Sequence, residues 1–156
     1  MSNTTKILMV CLGNICRSPL ADGLLRQKVK SLGLDVFVDS CGTSSYHIGE
    51  PPDERMINTA FKYDYDISNL RARQFTKRDF KEFDVIYVMD ASNYNNVIAL
   101  AETKEDREKV KLFLNELHPQ SNMPVPDPYF GGEQGFEKVF NLVDETTDKI
   151  IEKLKK

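Results

Sequence analysis

The chain has 156 residues, 40% of them apolar and 29% charged, and its 24 acidic and 21 basic residues give a formal net charge of −3. That length suits one domain, residues 1–156, at roughly 100–200 residues per domain, and the composition excludes disorder, collagen-like repeats and mucin-like stalks. No basic excess is available to grip a phosphate backbone, so no nucleic-acid partner is expected.

Lys6 to Cys11 is a continuous apolar run of strand length, the pattern of a strand buried on both faces of a parallel sheet. The longest apolar stretch, Ile7 to Leu12, falls far short of the ~20 residues a bilayer requires, so no membrane insertion is expected. A cleaved leader is not expected either, because its removal would destroy this strand. Cysteines stand at 11, 16 and 41, an odd set that does not suit a secreted disulfide scaffold, and a reducing, cytoplasmic location is expected.

A helix follows, with Ser18 as expected cap and Pro19 in its first turn. Apolar residues at 20, 21, 24, 25, 29 and 32 keep helical spacing until Gly33. Val36 to Val38 opens a second strand that ends at Cys41-Gly42, and 43–52 reads as a loop. Residues 53–63 read as helix, 64–75 as mixed, and Thr76–Phe80 as a short helical turn. Asp84–Met89 is a third buried strand, Ser92 to about Glu102 a helix, and Val110–Phe113 a fourth strand. Residues 115–135, with prolines at 124, 126 and 128, read as a long loop. The last helix carries one apolar stripe from Phe136 through Val139, Phe140, Val143, Ile150 and Ile151 to Leu154. Strands alternating with helices imply an α/β fold with a parallel sheet covered on both faces.

The segment between the first strand and its helix is Cys11-Leu12-Gly13-Asn14-Ile15-Cys16-Arg17-Ser18-Pro19. Ligands of open parallel sheets bind at the carboxyl ends of strands, and a helix start offers free N–H groups and a positive dipole end to an anion. The residues between Cys11 and Arg17 suffice to curl round a tetrahedral oxyanion with amides pointing inward. Gly13 permits a positive φ and Asn14 tolerates one. Arg17 suits a bidentate grip on two phosphate oxygens. Cys11 then lies on the floor of the cradle, where the arginine and the helix terminus favour a nucleophilic thiolate, with Ser18 donating a hydrogen bond to it. A buried strand-end cysteine and a solvent-facing arginine are the plainer interpretation, but the strand, the Gly-Asn turn and the Ser-Pro helix start all fall where an anion cradle needs them. A nucleotide P-loop, a Cys-x2-Cys redox pair and a zinc site lack their residues; His47 and His118 are too few and too distant for the last.

Cys11 to Pro19 resembles the signature of the low-molecular-weight protein tyrosine phosphatases, and the resemblance spans nearly the whole chain. Asp39-Ser-Cys-Gly-Thr43, Ala72-Arg-Gln74, Met89-Asp-Ala-Ser-Asn93 and Asp127-Pro-Tyr-Phe130 resemble further landmarks of that family. The resemblance implies a three-layer α/β/α fold with a four-stranded parallel sheet in the order 2-1-3-4. It implies a two-step, metal-independent hydrolysis of phosphotyrosine in proteins and of small aryl phosphates, with a phosphocysteine intermediate, no cofactor and inorganic phosphate as product. Cys11 matches the nucleophile, Arg17 the phosphate-binding residue and Asp127 the general acid, with Leu12, Gly13, Asn14, Ile15, Cys16 and Ser18 completing the phosphate loop. A phenol of pKa ~10 leaves more readily when protonated, general acid catalysis being worth ~10²–10⁴-fold. Pro126 and Pro128 restrict the backbone that presents Asp127. Tyr46, His47, Tyr129 and Phe130 are the expected substrate pocket. Cys16 is either a buried filler or the thiol that resolves an oxidised Cys11, and Cys41 is expected in the core. Leu70 stands where many members of the family carry a histidine that braces the loop asparagine, so Asn14 is expected to lean on Ser18 or Asn69. A monomer is expected.

Three other readings share features with this one. A thioredoxin-coupled arsenate reductase needs relay cysteines, and residues 60–156 contain none. A phosphosugar-carrier subunit has no use for Asp127. A silent phosphotyrosine-binding module has no use for Cys11, Arg17 and Asp127 together.

Overall fold

The computed structural model of the chain describes residues 4–128 and 132–155, with the backbone alone for residues 132 and 133. Strand β1 (Thr5–Cys11) occupies the centre of the sheet, flanked by β2 (Val36–Gly42) and β3 (Val85–Val88), with β4 (Val110–Leu112) beyond β3. All three pairings are parallel and the order is β2-β1-β3-β4, as expected. The unbroken apolar run of β1 follows from this position. Ile7, Met9 and Cys11 face one core cluster while Leu8 and Val10 face the other, so both faces of the strand are dry.

Helices α1 (Arg17–Ser31), α2 (Glu54–Lys62) and α6 (Gly132–Leu154) cover the first face, and α3 (Asp79–Glu82) and α4 (Ala91–Ile98) cover the second. The α6 stripe is buried as its spacing predicts: Phe136, Val139, Phe140, Val143, Ile150 and Ile151 all lie in the core.

The structure corrects several local expectations. Ser18 does not cap α1; the helix begins at Arg17 after Cys16 and has no side-chain cap. The helix expected from Ser92 to about Glu102 starts at Ala91 and ends at Ile98, and a separate helix that was not expected, α5 (Lys104–Glu108), starts where Thr103 Oγ1 accepts from Asp106 N (3.0 Å). The turn expected at Thr76–Phe80 becomes helical only from Asp79, whose carboxylate takes the Thr76 N–H at 2.9 Å. Phe113 leaves β4 for a 3-10 turn, Phe113–Glu116, so the expected loop at 115–135 starts with a turn and ends in α6. Among the described residues no helix is long and apolar enough to cross a membrane.

Candidate active site

The segment between β1 and α1 closes on the Cys11 sulfur. Asn14 N–H donates to Cys11 Sγ at 3.3 Å, and Ser18 Oγ lies 3.0 Å from the same sulfur. Ser18 thus serves the cradle rather than the helix end. Its oxygen accepts from Asn14 Nδ2 (2.8 Å), leaving its one proton for the sulfur or for Cys41 O at 3.3 Å. Asn14 takes the left-handed conformation, with φ +59°, a geometry asparagine tolerates better than most residues. Gly13, expected to share that role, does not adopt a positive φ. Its reason is contact: a Cβ there would lie 3.0 Å from His47 Cδ2.

Asn14 leans on Ser18, one of its two expected supports, and not on Asn69. The other support is the backbone N–H of Arg73, which donates to Asn14 Oδ1 at 3.1 Å. Arg73 is itself pinned, with Nε on Asp39 (3.2 Å) and both terminal nitrogens on Asp79 (3.1 and 3.0 Å). The end of β2 presses against the loop: Thr43 N–H reaches Cys11 O and Ser44 N–H reaches Leu12 O, both at 2.9 Å. A Cβ on Gly42 would stand 2.7 Å from Leu12 O and 3.0 Å from Asn14 N, so only glycine fits. On the other side Asp53 N–H ties Ile15 O at 2.7 Å.

Arg17 is only 5% exposed. Its Nη1 donates to Asp90 Oδ2 at 2.7 Å and to Val125 O at 3.1 Å. Asp90 is the N-cap of α4, its other oxygen accepting from Asn93 N at 2.8 Å, so a fixed helix start aims the guanidinium. Burial works against the Arg17 charge, but the Cys11 sulfur, Asp90 and Asp127 outweigh it and hold its pKa above the ordinary value. Burial drives the Cys16 thiol upward, reinforced by Asp53, Cys11 and Asp127, so Cys16 stays protonated. Cys41 is fully buried and raised for the same first reason. Neither is a thiolate nucleophile at neutral pH.

Above the loop opens a cavity of about 550 Å³ lined by Cys11, Leu12, Gly13, Ile15, Cys16, Arg17, His47, the segment Glu50–Glu54 and Asp127. The structure therefore brings Cys11, Arg17 and Asp127 to one cavity across 116 residues of sequence. His47 lines it, whereas Tyr46 is 82% exposed and does not. Tyr129 and Phe130 lie outside the described residues. Asp90, Arg73 and Gly42 were not assigned roles from the sequence. Met89-Asp-Ala-Ser-Asn93 and Ala72-Arg-Gln74 were visible as landmarks, but nothing local says that one carries Arg17's partner and the other Asn14's.

The sequence model of the low molecular weight phosphotyrosine protein phosphatase family matches residues 6–156. A low molecular weight phosphotyrosine protein phosphatase of Schizosaccharomyces pombe is 40% identical over 148 residues, covering 92% of this chain and 94% of its own. That of Homo sapiens is 37% identical over 153 residues, covering 96% of each. Among solved structures, a protein tyrosine phosphatase of Entamoeba histolytica superposes with a TM-score of 0.89 at 34% identity, covering 97% of both chains. YfkJ of Bacillus subtilis does so with a TM-score of 0.90 at 31% identity, covering 99% of this chain and 96% of its own. On this combined similarity of sequence, sheet order and loop, the chain belongs to the low molecular weight phosphotyrosine protein phosphatase family and is a phosphoric monoester hydrolase.

Proposed function

We propose that the protein hydrolyses phosphotyrosine in proteins, and small aryl phosphates, through a phosphocysteine intermediate and without a metal ion. Residues 1–156 act as one domain in this reading. The observation that carries it is the Cys11 sulfur, held between Asn14 N–H at 3.3 Å and Ser18 Oγ at 3.0 Å, in one cavity with Arg17 and Asp127.

In the first step the substrate phosphate enters the loop Leu12–Ser18, whose amides and the Arg17 guanidinium take its equatorial oxygens. The Cys11 thiolate attacks phosphorus in line, forming the S–P bond as the P–O bond to the phenol breaks. Asp127 gives its proton to the departing phenolate oxygen. In the second step the Asp127 carboxylate takes a proton from water, water oxygen attacks phosphorus, and the sulfur leaves as thiolate. Inorganic phosphate is released. Ser18 and Asn14 N–H hold the thiolate in both directions, as donors fixed in place before the reaction starts. Arg17 and the amides supply the charge stabilisation that a metal supplies in other phosphatases, so no cofactor is part of this scheme. His47 contributes one wall of the substrate slot.

The test is turnover of p-nitrophenyl phosphate in EDTA by the wild type, Cys11→Ser and Asp127→Ala. Cys11→Ser should abolish turnover, and Asp127→Ala should slow it by ~10²-fold or more. Activity that EDTA removes, or that survives Cys11→Ser, would exclude the mechanism.

A further inference from the structure

The cavity that takes a phosphate dianion on its floor has an anionic rim. Glu50, Asp53 and Glu54 line it, and among the described lining residues Arg17 supplies the one guanidinium, which Asp90 already faces at 2.7 Å. Two of these carboxylates have side-chain partners. Asp53 pairs with Arg55 at 3.1 Å, and Glu50 Oε2 lies 2.7 Å from His47 Nδ1. The Glu54 side chain makes no hydrogen bond or ion pair among the described residues. It is exposed, at the first position of α2.

The place of Glu54 is fixed relative to the reacting phosphate. It follows Asp53, whose N–H is bonded to Ile15 O of the phosphate loop at 2.7 Å and whose side chain caps α2. Glu50 is fixed from the other side, its carbonyl accepting from Ala72 N–H at 2.9 Å. With phosphotyrosine seated in the loop, the neighbouring residues of the substrate must pass over this rim. A second acid beside the phosphotyrosine would meet like charge there; a Lys or Arg would meet opposite charge. The exposed cations Lys77, Arg78 and Lys81 do not line the cavity and do not offset this.

We infer that Glu54, with Glu50, selects phosphotyrosines that carry a lysine or arginine beside them in the substrate chain. This rests on the phosphotyrosine reading above and deepens it. Rim charges act mainly on encounter and binding, so the preference belongs in KM and must weaken with salt.

The experiment compares two phosphotyrosine peptides identical except for Arg or Glu at the flanking positions, with p-nitrophenyl phosphate assayed beside them. The wild type should favour the Arg peptide in kcat/KM by about 3–10-fold at low ionic strength, through KM, and the ratio should shrink toward one in about 0.5 M salt. Glu54→Lys should erase or invert the ratio, and Glu54→Gln combined with Glu50→Gln should erase it. Circular dichroism confirms that each variant is folded. Equal kcat/KM for the two peptides with the wild type, or a preference untouched by Glu54→Lys and by salt, would overturn the inference while leaving the phosphatase reading intact. Failure of the wild type to turn over p-nitrophenyl phosphate as well would overturn both.

Discussion

Arg17 Nη1 lies 2.7 Å from Asp90 Oδ2, so the first residue of α1 is aimed by one at the start of α4, 73 positions away. Asp90 spends one oxygen on Asn93 N–H and the other on the guanidinium. The helix start and the phosphate clamp are therefore one rigid unit. Preorganised charge of this kind costs no rearrangement when the substrate arrives.

Removing the Asp90 charge should loosen that clamp. Asp90→Asn keeps the side-chain shape but pairs poorly with Arg17, and kcat/KM for an aryl phosphate should fall by about 10²-fold, the scale of a ~1 Å misplacement at a reacting group. Asp90→Ala also loses the cap of α4 and should cost about 1 kcal/mol more in stability. Steady-state kinetics and urea midpoints on both variants check this; an Asp90→Asn enzyme with wild-type kcat/KM would remove Asp90 from the positioning of Arg17.

Two glycines beside the loop should respond differently to alanine. At Gly42 the new Cβ meets backbone, Leu12 O at 2.7 Å, which cannot move without deforming the cradle. Gly42→Ala should cost about 1–3 kcal/mol and lower kcat. At Gly13 the new Cβ meets only the far edge of the His47 ring at 3.0 Å. Gly13→Ala should cost less, and His47→Ala should relieve it in a double-mutant cycle of urea midpoints. Equal costs at both positions, with no coupling to His47, would contradict the contact geometry.

Asp22 gives stability a pH dependence of unusual sign. It is fully buried on α1, and burial raises its pKa from 3.8 to about 6, against the opposing pull of Arg26 at 2.9 Å. The folded state therefore holds its proton more tightly than the unfolded state. Its contribution to stability is full below about pH 4 and is lost as pH rises through about 6. Carboxylates with lowered values, such as Asp53, act in the opposite direction, so the comparison must be with a variant. Asp22→Asn should change the urea midpoint less than the wild type loses between pH 4 and 7, a difference of order 2–3 kcal/mol. Parallel curves for the two proteins would show that Asp22 does not titrate in this window.

Cys16 sits in the same loop as Cys11 and is held as a thiol by burial. Oxidation of Cys11 to a sulfenic acid offers Cys16 a partner: its sulfur displaces the hydroxyl, water leaves, and a disulfide forms that reductant can reopen. Peroxide-treated wild type should recover its activity with dithiothreitol, whereas Cys16→Ser should lose a large share irreversibly. Equal recovery in the two would leave Cys16 as a packing residue.

The parts of this protein written in consecutive residues could be read without its structure. Cys11, the turn at Gly13-Asn14, Arg17 and the helix start fall within one short segment, so strand, loop and helix dipole are assembled by chain connectivity alone. The apolar run of β1 and the α6 stripe announced a doubly covered sheet because the buried face of each element repeats at its own period. What holds the cradle was not legible: Asp90 on Arg17, Arg73 N–H on Asn14, Gly42 against Leu12 O and the Asp53 N–H on Ile15 O all join distant segments. The sheet order brings the carboxyl ends of β1, β2 and β3 side by side, and only that proximity decides which acid faces the guanidinium and which glycine must stay bare. It also decided that Ser18 turns to sulfur rather than to the helix end, since a hydroxyl goes to the acceptor its surroundings leave within reach. Local chemistry chose the loop; the long-range packing chose its shape.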